Sequence, residues 1–447
     1  MLINADLHIH SKYSAATSPR MDLPTLAREA ARKGIQLLGT GDCLHPKWLS
    51  GIKELEEQDG VFSFKGTAEA TAEVTAEATK TRTKFVLTVE VEDERRVHHL
   101  LLLPCVAKAE ELYEAFRKHS ADIDSDGRPS LRMSGQEIAE RARDAEALVG
   151  PCHAFTPWTA LYAYHNSLRE CYGDLAAVGA GGISFVELGL SADSSYADRI
   201  SELRGLTFLT NSDAHSPYPI RLAREFNRFQ VEAVSFEELK AAILRRGGRK
   251  PVLNVGFPPA EGKYNESACS RCYKHFSLTE ARARRWRCSE CGGRIKKGVR
   301  DRVSELADYN AGGTRTTHPE HRPPYLHLIP LAEIIGLALQ KSASSKVVTK
   351  MWESLLAAFG TEVIVLVDAS VEDLEAALTT TTTSTSTTTT TTLDARVLEA
   401  VKAFRAGEIR VIPGGGGKYG VIELNPEGSE KEEEKEERRG QLSLQDF

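Results

Sequence analysis

Short apolar runs alternate with amphipathic stretches over roughly the first 250 residues of the chain. The apolar runs at 100–103, 182–190 and 206–210 predict strands, while 23–33 and 135–146 carry apolar residues at helical spacing. The first of these helices is followed directly by a glycine, which is a typical helix stop. This order predicts an α/β fold with repeated β-α units around a parallel or barrel-like sheet.

The rest of the chain differs in pattern. Apolar stretches at 331–339 and 347–359 predict helices, and the apolar run 363–367 predicts a strand. A Thr/Ala/Glu repeat at 66–84 and a tract of only Thr and Ser at 379–392 lack the apolar residues that would offset the entropy of ordering. We therefore expect both to be flexible surface loops.

These patterns divide the chain into four segments. We expect a first domain at 1–256, a small cysteine-containing module at 257–302, a C-terminal domain at 303–426 that is α/β or mostly helical, and a disordered charged tail at 427–447. A length of 447 residues agrees with two or three domains.

Composition excludes a membrane-spanning protein, and the first ten residues predict a cytoplasmic location. Hydrophobic residues make up 41% and charged residues 27%, and no apolar run approaches the roughly 18 residues that span a bilayer. Residues 1–10 lack the pattern of a secretory signal, so we expect a cytoplasmic protein without membrane contact. No P-loop or GxSxG motif is present, so ATP use and serine hydrolase chemistry are not indicated.

Four of the eight cysteines form two CxxC pairs, and the other four are scattered singly. The pairs are separated by fifteen residues, a spacing typical of a tetrahedral four-thiolate zinc site. A redox dithiol is the competing interpretation of a single CxxC pair, but two pairs at this spacing favour structural zinc. The predicted zinc ligands are Cys269, Cys272, Cys288 and Cys291.

The cysteine-containing module is strongly basic. Residues 271–302 include eleven Lys or Arg and three acidic residues. Cations pair with phosphates and aromatic rings stack on exposed bases, so nucleic acid is a predicted partner. For the aromatic residues alone, packing on the zinc core is the favoured interpretation. The DNA-binding candidates are Arg282, Arg284, Arg285, Trp286, Arg287, Lys296 and Lys297.

Histidine and carboxylate residues lie beside the apolar runs of the first domain. His8 and His10 are two residues apart, as are Asp213 and His215, so each pair points to one face of an extended segment. Imidazole and carboxylate groups are ligands for Zn, Mn and Fe, and a carboxylate such as Glu90 can bridge two ions. The set predicts a catalytic centre with several metal ions.

The motifs DLHIH, GTGD, TVEVE, GPCHAF and TNSDAH resemble the PHP (polymerase and histidinol phosphatase) superfamily over about residues 1–256. The resemblance implies a distorted TIM-like (β/α)7 barrel with two or three divalent ions (Zn, Mn, Mg or Fe) at the strand ends, where they catalyse phosphoester hydrolysis. Many members have another ligand where this chain has Ala15 and Ala16. The resemblance implies one ion on His8, His10, Glu90 and Asp213, a second on Glu90, His98 and His153, with His99 as the alternative to His98, and a third on Asp42 and His215.

Further motifs narrow this resemblance. The zinc module, the segment THPEHRPPYLHLIPLAEII and the loop PGGGGKYG are similar to the endonuclease Q family, as are HSKYSAATS and GTGDCLHPKWL. Membership implies a DNA repair endonuclease that cuts 5′ of a deaminated base (uracil, hypoxanthine or xanthine) or an abasic site in double-stranded or single-stranded DNA. We also expect the protein to be a monomer, and replication or repair factors are candidate partners. Tyr325 and His327 are candidates for the pocket that reads the damaged base.

Two other functions are compatible with parts of this pattern. A small-molecule phosphatase of the histidinol phosphatase type would share the metal centre but has no need of the zinc module. A catalytically inactive nucleic-acid-binding protein would require lost metal ligands, whereas the main ligand set is present.

Overall fold

The computed structural model describes residues 1–65, 83–176, 182–309, 316–379 and 394–424. The predicted loops at 66–84 and 379–392 lie almost wholly outside the described residues, and the predicted tail at 427–447 lies entirely outside them. Within these ranges, every helix is too short or too polar to cross a membrane.

The described residues form a mixed α/β structure, which confirms the predicted fold class at that level. The strands are β1 (Leu2–Asp6), β2 (Leu37–Gly39), β3 (Glu56–Gln58), β4 (Val61–Ser63), β5 (Lys84–Glu92), β6 (His98–Leu103), β7 (Leu148–Pro151), β8 (Phe185–Glu187), β9 (Thr207–Leu209), β10 (Phe226–Gln230), β11 (Lys250–Gly256), β12 (Ala268–Cys269), β13 (Ile295–Lys296), β14 (Tyr325–His327), β15 (Ile409–Ile412) and β16 (Val421–Leu424).

The α-helices lie between these strands along the chain. They are α1 (Leu23–Lys33), α2 (Pro46–Lys53), α3 (Val106–Phe116), α4 (Gly135–Asp144), α5 (Leu161–Tyr164), α6 (Leu168–Tyr172), α7 (Ser194–Ala197), α8 (Phe236–Ile243), α9 (Leu278–Ala283), α10 (Val299–Leu306), α11 (Leu331–Leu339), α12 (Lys346–Phe359), α13 (Val371–Thr379) and α14 (Ala395–Arg405).

Several strands close into a ring. β1 pairs in parallel with β2 and β2 with β5, whereas β5–β6 and β6–β7 are antiparallel. The Ser184 amide before β8 donates to the Val149 carbonyl in β7, and β8 pairs in parallel with β9. The His10 amide then donates to the Ala214 carbonyl at 2.9 Å, which joins the segment after β9 to the segment after β1. The ring therefore contains two antiparallel pairs, unlike an all-parallel barrel.

The predicted helix at 23–33 is confirmed, and its ends have local causes. The Asp22 side chain accepts a hydrogen bond from the Thr25 amide at 2.9 Å, which caps the first turn. Gly34 adopts a left-handed backbone with φ of 95°, where a side chain would be strained, and ends the helix. The helix predicted at 331–339 is likewise confirmed as α11.

The strand predicted at 363–367 is wrong. Ile364–Asp368 forms a short π-helical turn, in which the Ala369 amide donates to the Ile364 carbonyl at 2.8 Å. Val365 is completely buried in the main core. A short, continuously apolar run fits a buried helical turn as well as a buried strand, so its hydrophobic pattern could not distinguish them.

The cysteine-containing module has a separate small hydrophobic cluster, and it contains α9 and the two-stranded antiparallel sheet of β12 and β13. Its hydrophobic core consists of Cys269, Phe276, Ala281, Cys288 and Ile295. Helix α10 runs across the predicted division between 302 and 303, and β14 pairs in parallel with β11. The module and the C-terminal segment are thus joined to the sheet through continuous elements.

Candidate metal centre

The ring brings residues that are far apart in sequence to one end of its strands. His8 and His10 follow β1, Glu90 lies in β5, His153 follows β7 and Asp213 follows β9. The two β1 histidines are separated by one residue in extended backbone, so both side chains reach the same face, as the sequence predicts. This is the end at which residues from several strands can share a site.

The first predicted ligand group comes together around Glu90. His10 Nε2 lies 3.3 Å from Glu90 Oε2 and 3.2 Å from Asp213 Oδ1. His8 Nε2 lies 3.7 Å from Glu90 Oε1 and 3.8 Å from Asp213 Oδ1. His8, His10 and Asp213 each offer an atom to a common position where a metal ion could bind.

The second predicted group also comes together at the Glu90 carboxylate. Glu90 Oε1 lies 2.7 Å from His98 Nδ1 and 3.0 Å from His153 Nε2. His99 points elsewhere, with Nδ1 at 2.7 Å from the Tyr172 hydroxyl and Nε2 at 3.3 Å from Asp93 Oδ2. The alternation along β6 therefore directs His98, and not His99, toward Glu90.

The third predicted group, Asp42 and His215, is arranged differently. Asp42 accepts hydrogen bonds from the Ser11 amide at 2.7 Å and the Ser14 hydroxyl at 2.8 Å, and its other oxygen lies 3.2 Å from His10 Nδ1. His215 Nδ1 donates to the Asp213 carbonyl at 3.1 Å. Among the described residues the two do not join one metal-binding group. Asp42 thus lies behind His10, and its assignment to a third ion stays a prediction.

Unpartnered polar atoms test whether this donor set fits metal ions. His8 Nε2, His10 Nε2, Glu90 Oε2 and His153 Nδ1 are buried and have no hydrogen-bond partner. A buried polar atom without a partner costs about 1–3 kcal/mol, and a metal ion would remove that cost for ring nitrogens and carboxylate oxygens. The donor set fits divalent cations.

The charges at the centre are strongly interdependent. Burial lowers the pKa of His8, but the carboxylates of Glu187 and Glu90 outweigh it and raise the pKa well above the ordinary value. Burial raises the pKa of Glu90, but the charge of His98 and hydrogen bonds from the surrounding histidines hold it well below the ordinary value. Carboxylates that stay ionised at neutral pH are suited to bind cations.

Three site residues hold a backbone conformation that residues other than glycine rarely adopt. Asp42, His153 and Asp213 have φ values of 50°, 29° and 47°. Such conformations cost of order 1–3 kcal/mol each and are maintained where a functional site requires them. All three follow a strand of the ring, so the strain accompanies the turn that aims each side chain inward.

Sequence reasoning missed Glu187, which ends β8. Its two carboxylate oxygens lie 3.0 and 2.9 Å from His8 Nδ1, and it also accepts the His153 amide at 2.8 Å and the Asn211 side chain at 2.9 Å. A carboxylate on the far nitrogen of a metal-binding histidine fixes its tautomer and orientation. The available signal was an acidic residue inside the predicted apolar strand at 182–190.

Arg128 is a second residue that the sequence did not single out. Its guanidinium lies 3.5 Å from Glu90 Oε2, and about a third of its side chain is exposed. Among the described residues it is the arginine or lysine that lies within 4.0 Å of the Glu90 carboxylate, and it also faces solvent. An arginine in this position can contact a phosphate that approaches the centre.

The four predicted zinc ligands come together. Cys269 and Cys291 Sγ are 3.5 Å apart, as are Cys272 and Cys288 Sγ. A tetrahedron with metal–sulfur distances of about 2.3 Å has sulfur–sulfur edges of about 3.8 Å, so the cluster fits a zinc ion. Burial opposes ionisation of Cys269, but nearby backbone amides and thiols lower its pKa to about 6.

The predicted DNA-binding residues fall into two groups. Arg282 and Lys297 both pair with Glu305, at 2.6 and 2.7 Å. Arg284, Arg285 and Arg287 are exposed, and Lys296 lies 4.4 Å from the Trp158 ring. Trp286 is half-buried and packs against the core of the module, as the favoured interpretation of the aromatic residues predicts.

A cleft of about 790 Å³ separates the module from the loop after β7. Trp158 and Tyr164 line one wall, and Arg285, Arg287 and Arg294 line the other. Among the described residues none of these three arginines pairs with a carboxylate within 4.0 Å. The cleft therefore carries free positive charge beside exposed aromatic rings.

The two candidate pocket residues lie close together. The Tyr325 hydroxyl is buried and has no hydrogen-bond partner, and His327 Nε2 lies 3.0 Å from Asp193 Oδ2. Near Tyr325, the fully buried Glu225 accepts the Phe257 amide at 2.8 Å, and burial raises its pKa to about 8.

Comparison with other sequences gives matches over most of the chain. Residues 330–408 match the family model described as the MJ0043 C-terminal domain. The uncharacterized protein MJ0043 of Methanocaldococcus jannaschii is 41% identical over 280 residues, which are 62% of this chain and 32% of that protein. This chain therefore matches only about a third of that relative's length. The uncharacterized protein YqxK of Bacillus subtilis is 31% identical over 435 residues, which are 94% of this chain and 99% of that protein.

Two solved structures are similar over nearly the whole chain. The lesion-specific endonuclease PfuEndoQ from Pyrococcus furiosus has a TM-score of 0.83 and 44% identity, covering 96% of both chains. Endonuclease Q in complex with a 27-mer duplex that has an abasic lesion at the active site has a TM-score of 0.82 and 44% identity, covering 96% of this chain and 98% of that one. This chain belongs to the endonuclease Q family.

Proposed function

We propose that this chain is a metal-dependent DNA repair endonuclease that hydrolyses the phosphodiester bond 5′ of a deaminated base or an abasic site. The observation that carries the proposal is the buried centre on Glu90, where the unpartnered Nε2 atoms of His8 and His10 lie beside the carboxylate that His153 Nε2 also contacts at 3.0 Å. The family relationship supports it, because one relative is a lesion-specific endonuclease and another is bound to a duplex with an abasic lesion.

The centre is proposed to be of the PHP type, on a distorted barrel. Support comes from the closed ring of strands and from the position of each ligand after or within a ring strand. Divalent ions would supply Lewis-acid stabilisation of the negative charge that develops on a phosphate during hydrolysis. The residues that would hold them are His8, His10, Glu90, His98, His153 and Asp213.

The chain's own residues prepare this centre. Glu187 and Asp42 lie beside the Nδ1 atoms of His8 and His10, so each Nδ1 would keep its proton when an ion binds, and each Nε2 faces the centre as the ligand atom. The orientations of these two imidazole rings are thus set by the fold before any ion or substrate binds. Arg128 faces solvent beside Glu90 and would orient a backbone phosphate.

Selectivity for damage is proposed to come from extrusion of the lesion. Uracil, hypoxanthine and xanthine pair poorly with their partners and an abasic site has no base, so less free energy is needed to unstack them. The free cations of the cleft, Arg285, Arg287 and Arg294, would hold the duplex through its phosphates, and such contacts carry no base information. Discrimination therefore falls on the extrusion step and on the pocket that receives the lesion.

The decisive experiment compares matched labelled duplexes with uracil, hypoxanthine, an abasic site or no lesion, with Mg²⁺, Mn²⁺ or Zn²⁺ added. We expect nicks on the 5′ side of the lesion and an intact undamaged duplex at the same enzyme concentration. Equal cutting of all duplexes would indicate a general nuclease. Hydrolysis of histidinol phosphate without nicking would indicate a small-molecule phosphatase.

A further inference from the structure

Three aromatic side chains and two lysines form a continuous row on the surface, which we call the aromatic–lysine row: Trp158, Tyr264, Tyr419, Lys263 and Lys296. Lys296 Nζ lies 4.4 Å from the Trp158 ring and 5.4 Å from the Tyr264 ring. Lys263 Nζ lies 5.3 Å from the Tyr264 ring and 5.8 Å from the Tyr419 ring. A lysine thus lies beside each pair of successive rings, and the Trp158 and Tyr264 rings also contact each other edge to face, with ring centroids 4.9 Å apart.

One end of the row lies at the cleft. Trp158 and Lys296 line the cleft beside the cysteine module. Trp158 also lies five residues after the metal-ligand candidate His153, whose carbonyl accepts the Thr156 amide at 2.8 Å within the same loop. The row therefore starts in the loop that carries a proposed metal ligand and extends from there to Tyr419.

Three observations show that the row is not ordinary packing. Trp158 is 42% exposed and Tyr419 is 53% exposed, although both carry large apolar surfaces. Trp158 also has a φ of 75°, which is strained for a bulky residue and is held by a hydrogen bond from the Tyr164 hydroxyl to its carbonyl. Among the described residues neither lysine pairs with a carboxylate. Exposed rings, strain and unneutralised charge occur together where a ligand binds.

This arrangement of rings and lysines identifies the chemistry of that ligand. A phosphate backbone pairs with cations, and bases stack on aromatic rings only when they are not stacked in a duplex. We propose that the aromatic–lysine row binds an unpaired segment of nucleic-acid strand that leads away from the metal centre, with bases on the three rings and phosphates on the two lysines. This inference rests on the proposed function in taking DNA as the substrate.

The sequence explains why this row can form. Gly416 has a φ of 67°, and a Cβ atom there would lie 2.4 Å from the Cys269 carbonyl oxygen. The glycine-rich loop therefore approaches the cysteine module closely, and Tyr419 follows three residues later. Folding of the module around its cysteines is thus needed to align the row.

The test measures binding of an undamaged, fluorescently labelled oligothymidylate by anisotropy at low salt, using the full-length protein. Trp158→Ala and Tyr264→Ala should each weaken binding about tenfold, because a stacked base is lost. Trp158→Phe should bind within about threefold of wild type, since a ring remains. Tyr113→Ala is the matched control, because Tyr113 also lies beneath a cation, Arg117, at 5.7 Å, but outside the row. It should leave binding unchanged.

The two lysines of the row are tested by the salt dependence of binding. Lys263→Gln and Lys296→Gln should each reduce the slope of log affinity against log salt by about 0.7, which corresponds to one phosphate contact on a single strand. A purely structural role would change stability without changing this slope. Unchanged slopes together with unchanged affinity of Trp158→Ala would overturn the inference.

Two further outcomes separate this inference from its alternatives. If polyglutamate of equal charge binds as tightly as the oligothymidylate and is equally weakened by Trp158→Ala, the row binds an acidic protein segment and the inference is wrong. If the wild type nicks no damaged duplex but binds the oligothymidylate through the row, the proposed function fails while the row is supported. If it nicks damaged duplexes and Trp158→Ala binds the strand normally, only the row is refuted.

Discussion

The two predicted metal sites of this chain differ in the size of the hydrophobic core around them. The His/carboxylate centre is set in a ring of strands whose residues Ile9, Val89 and Val91 are fully or almost fully buried in a large apolar core. The four-cysteine site lies in a module whose core has five residues, two of which are the ligands Cys269 and Cys288. The fold holds the ligands of the first site in place, whereas the ligands of the second site make up much of the core of their module.

This difference predicts two different roles for metal. Ligands in the ring are already oriented by partners such as Glu187 and Asp42, so their orientation does not depend on the ions. A small module with so little apolar core gains its folding free energy from metal binding, as zinc-dependent domains do. Loss of metal should therefore abolish chemistry at the first site and structure at the second.

The largest expected effect comes from removing a ligand in the ring. Asp213→Ala or His8→Ala should reduce nicking by more than about a hundredfold, because the ions stabilise the transition state. DNA affinity should stay close to wild type, and Asp213→Ala should also keep the melting temperature, since Asp213 is partly exposed and the apolar core is untouched. Nicking assays, anisotropy and thermal melts measure the three quantities.

The matched control is Asp174→Ala, which removes an almost fully exposed carboxylate on the surface. It should leave all three quantities unchanged. Near-normal nicking by both Asp213→Ala and His8→Ala would show that the centre is elsewhere.

A smaller effect of a different kind is expected from the cysteine module. Cys269→Ser or Cys288→Ser should remove zinc and unfold the module, because metal binding and folding are coupled there. DNA affinity should fall at least about tenfold, since the module carries the free cations of the cleft. Zinc content, limited proteolysis and anisotropy test this, with Cys105→Ser, outside the cluster, as the control. Retained zinc and affinity would contradict the comparison.

Glu187→Gln tests whether the ring orients its ligands. Glutamine keeps the shape but loses the charge that faces His8 Nδ1, and the loss of such a partner typically costs about 10–100-fold in metal affinity or activity. Nicking should fall by that factor and recover in part at raised metal concentration. Recovery separates weakened ion binding from misfolding, and unchanged metal dependence would show that Glu187 has no orienting role.

Much of both sites could be predicted from sequence because the signal was local. The spacing of His8 and His10 in extended backbone and the CxxC pairs each place ligands together without knowledge of the fold. The shared role of Glu90 was expected from the family resemblance, and the geometry brings its proposed partners to it.

What could not be predicted depends on contacts between distant segments. Glu187 is 179 residues from His8 in sequence, and only closure of the ring brings the two together. The pairing of Arg282 and Lys297 with Glu305 likewise depends on how α10 packs against the module. The turn at 364–368 was misassigned because its apolar run lacks a period that separates helix from strand.

The smallest expected effect concerns the free energy of unfolding and how it depends on pH. Glu225 is fully buried, and burial raises its pKa from an ordinary value of 4.5 to about 8. Between these values the folded protein keeps a proton on Glu225 that the unfolded chain has released, so the free energy of unfolding falls as pH rises. The fall is at most about 1.4 kcal/mol per pH unit, which is the value of one proton. Glu225→Gln stays neutral and can still accept the Phe257 amide, so its unfolding free energy should depend less on pH from 5 to 8. Urea unfolding of both proteins at several pH values measures the two slopes. Because Glu225 precedes β10, which pairs with the ring strand β1, and lies outside the cysteine module, the difference between the slopes should persist in the Cys269→Ser background. Identical slopes would mean that Glu225 is ionised in the folded protein, and a difference that disappears without zinc would mean that the ring depends on the module for its stability.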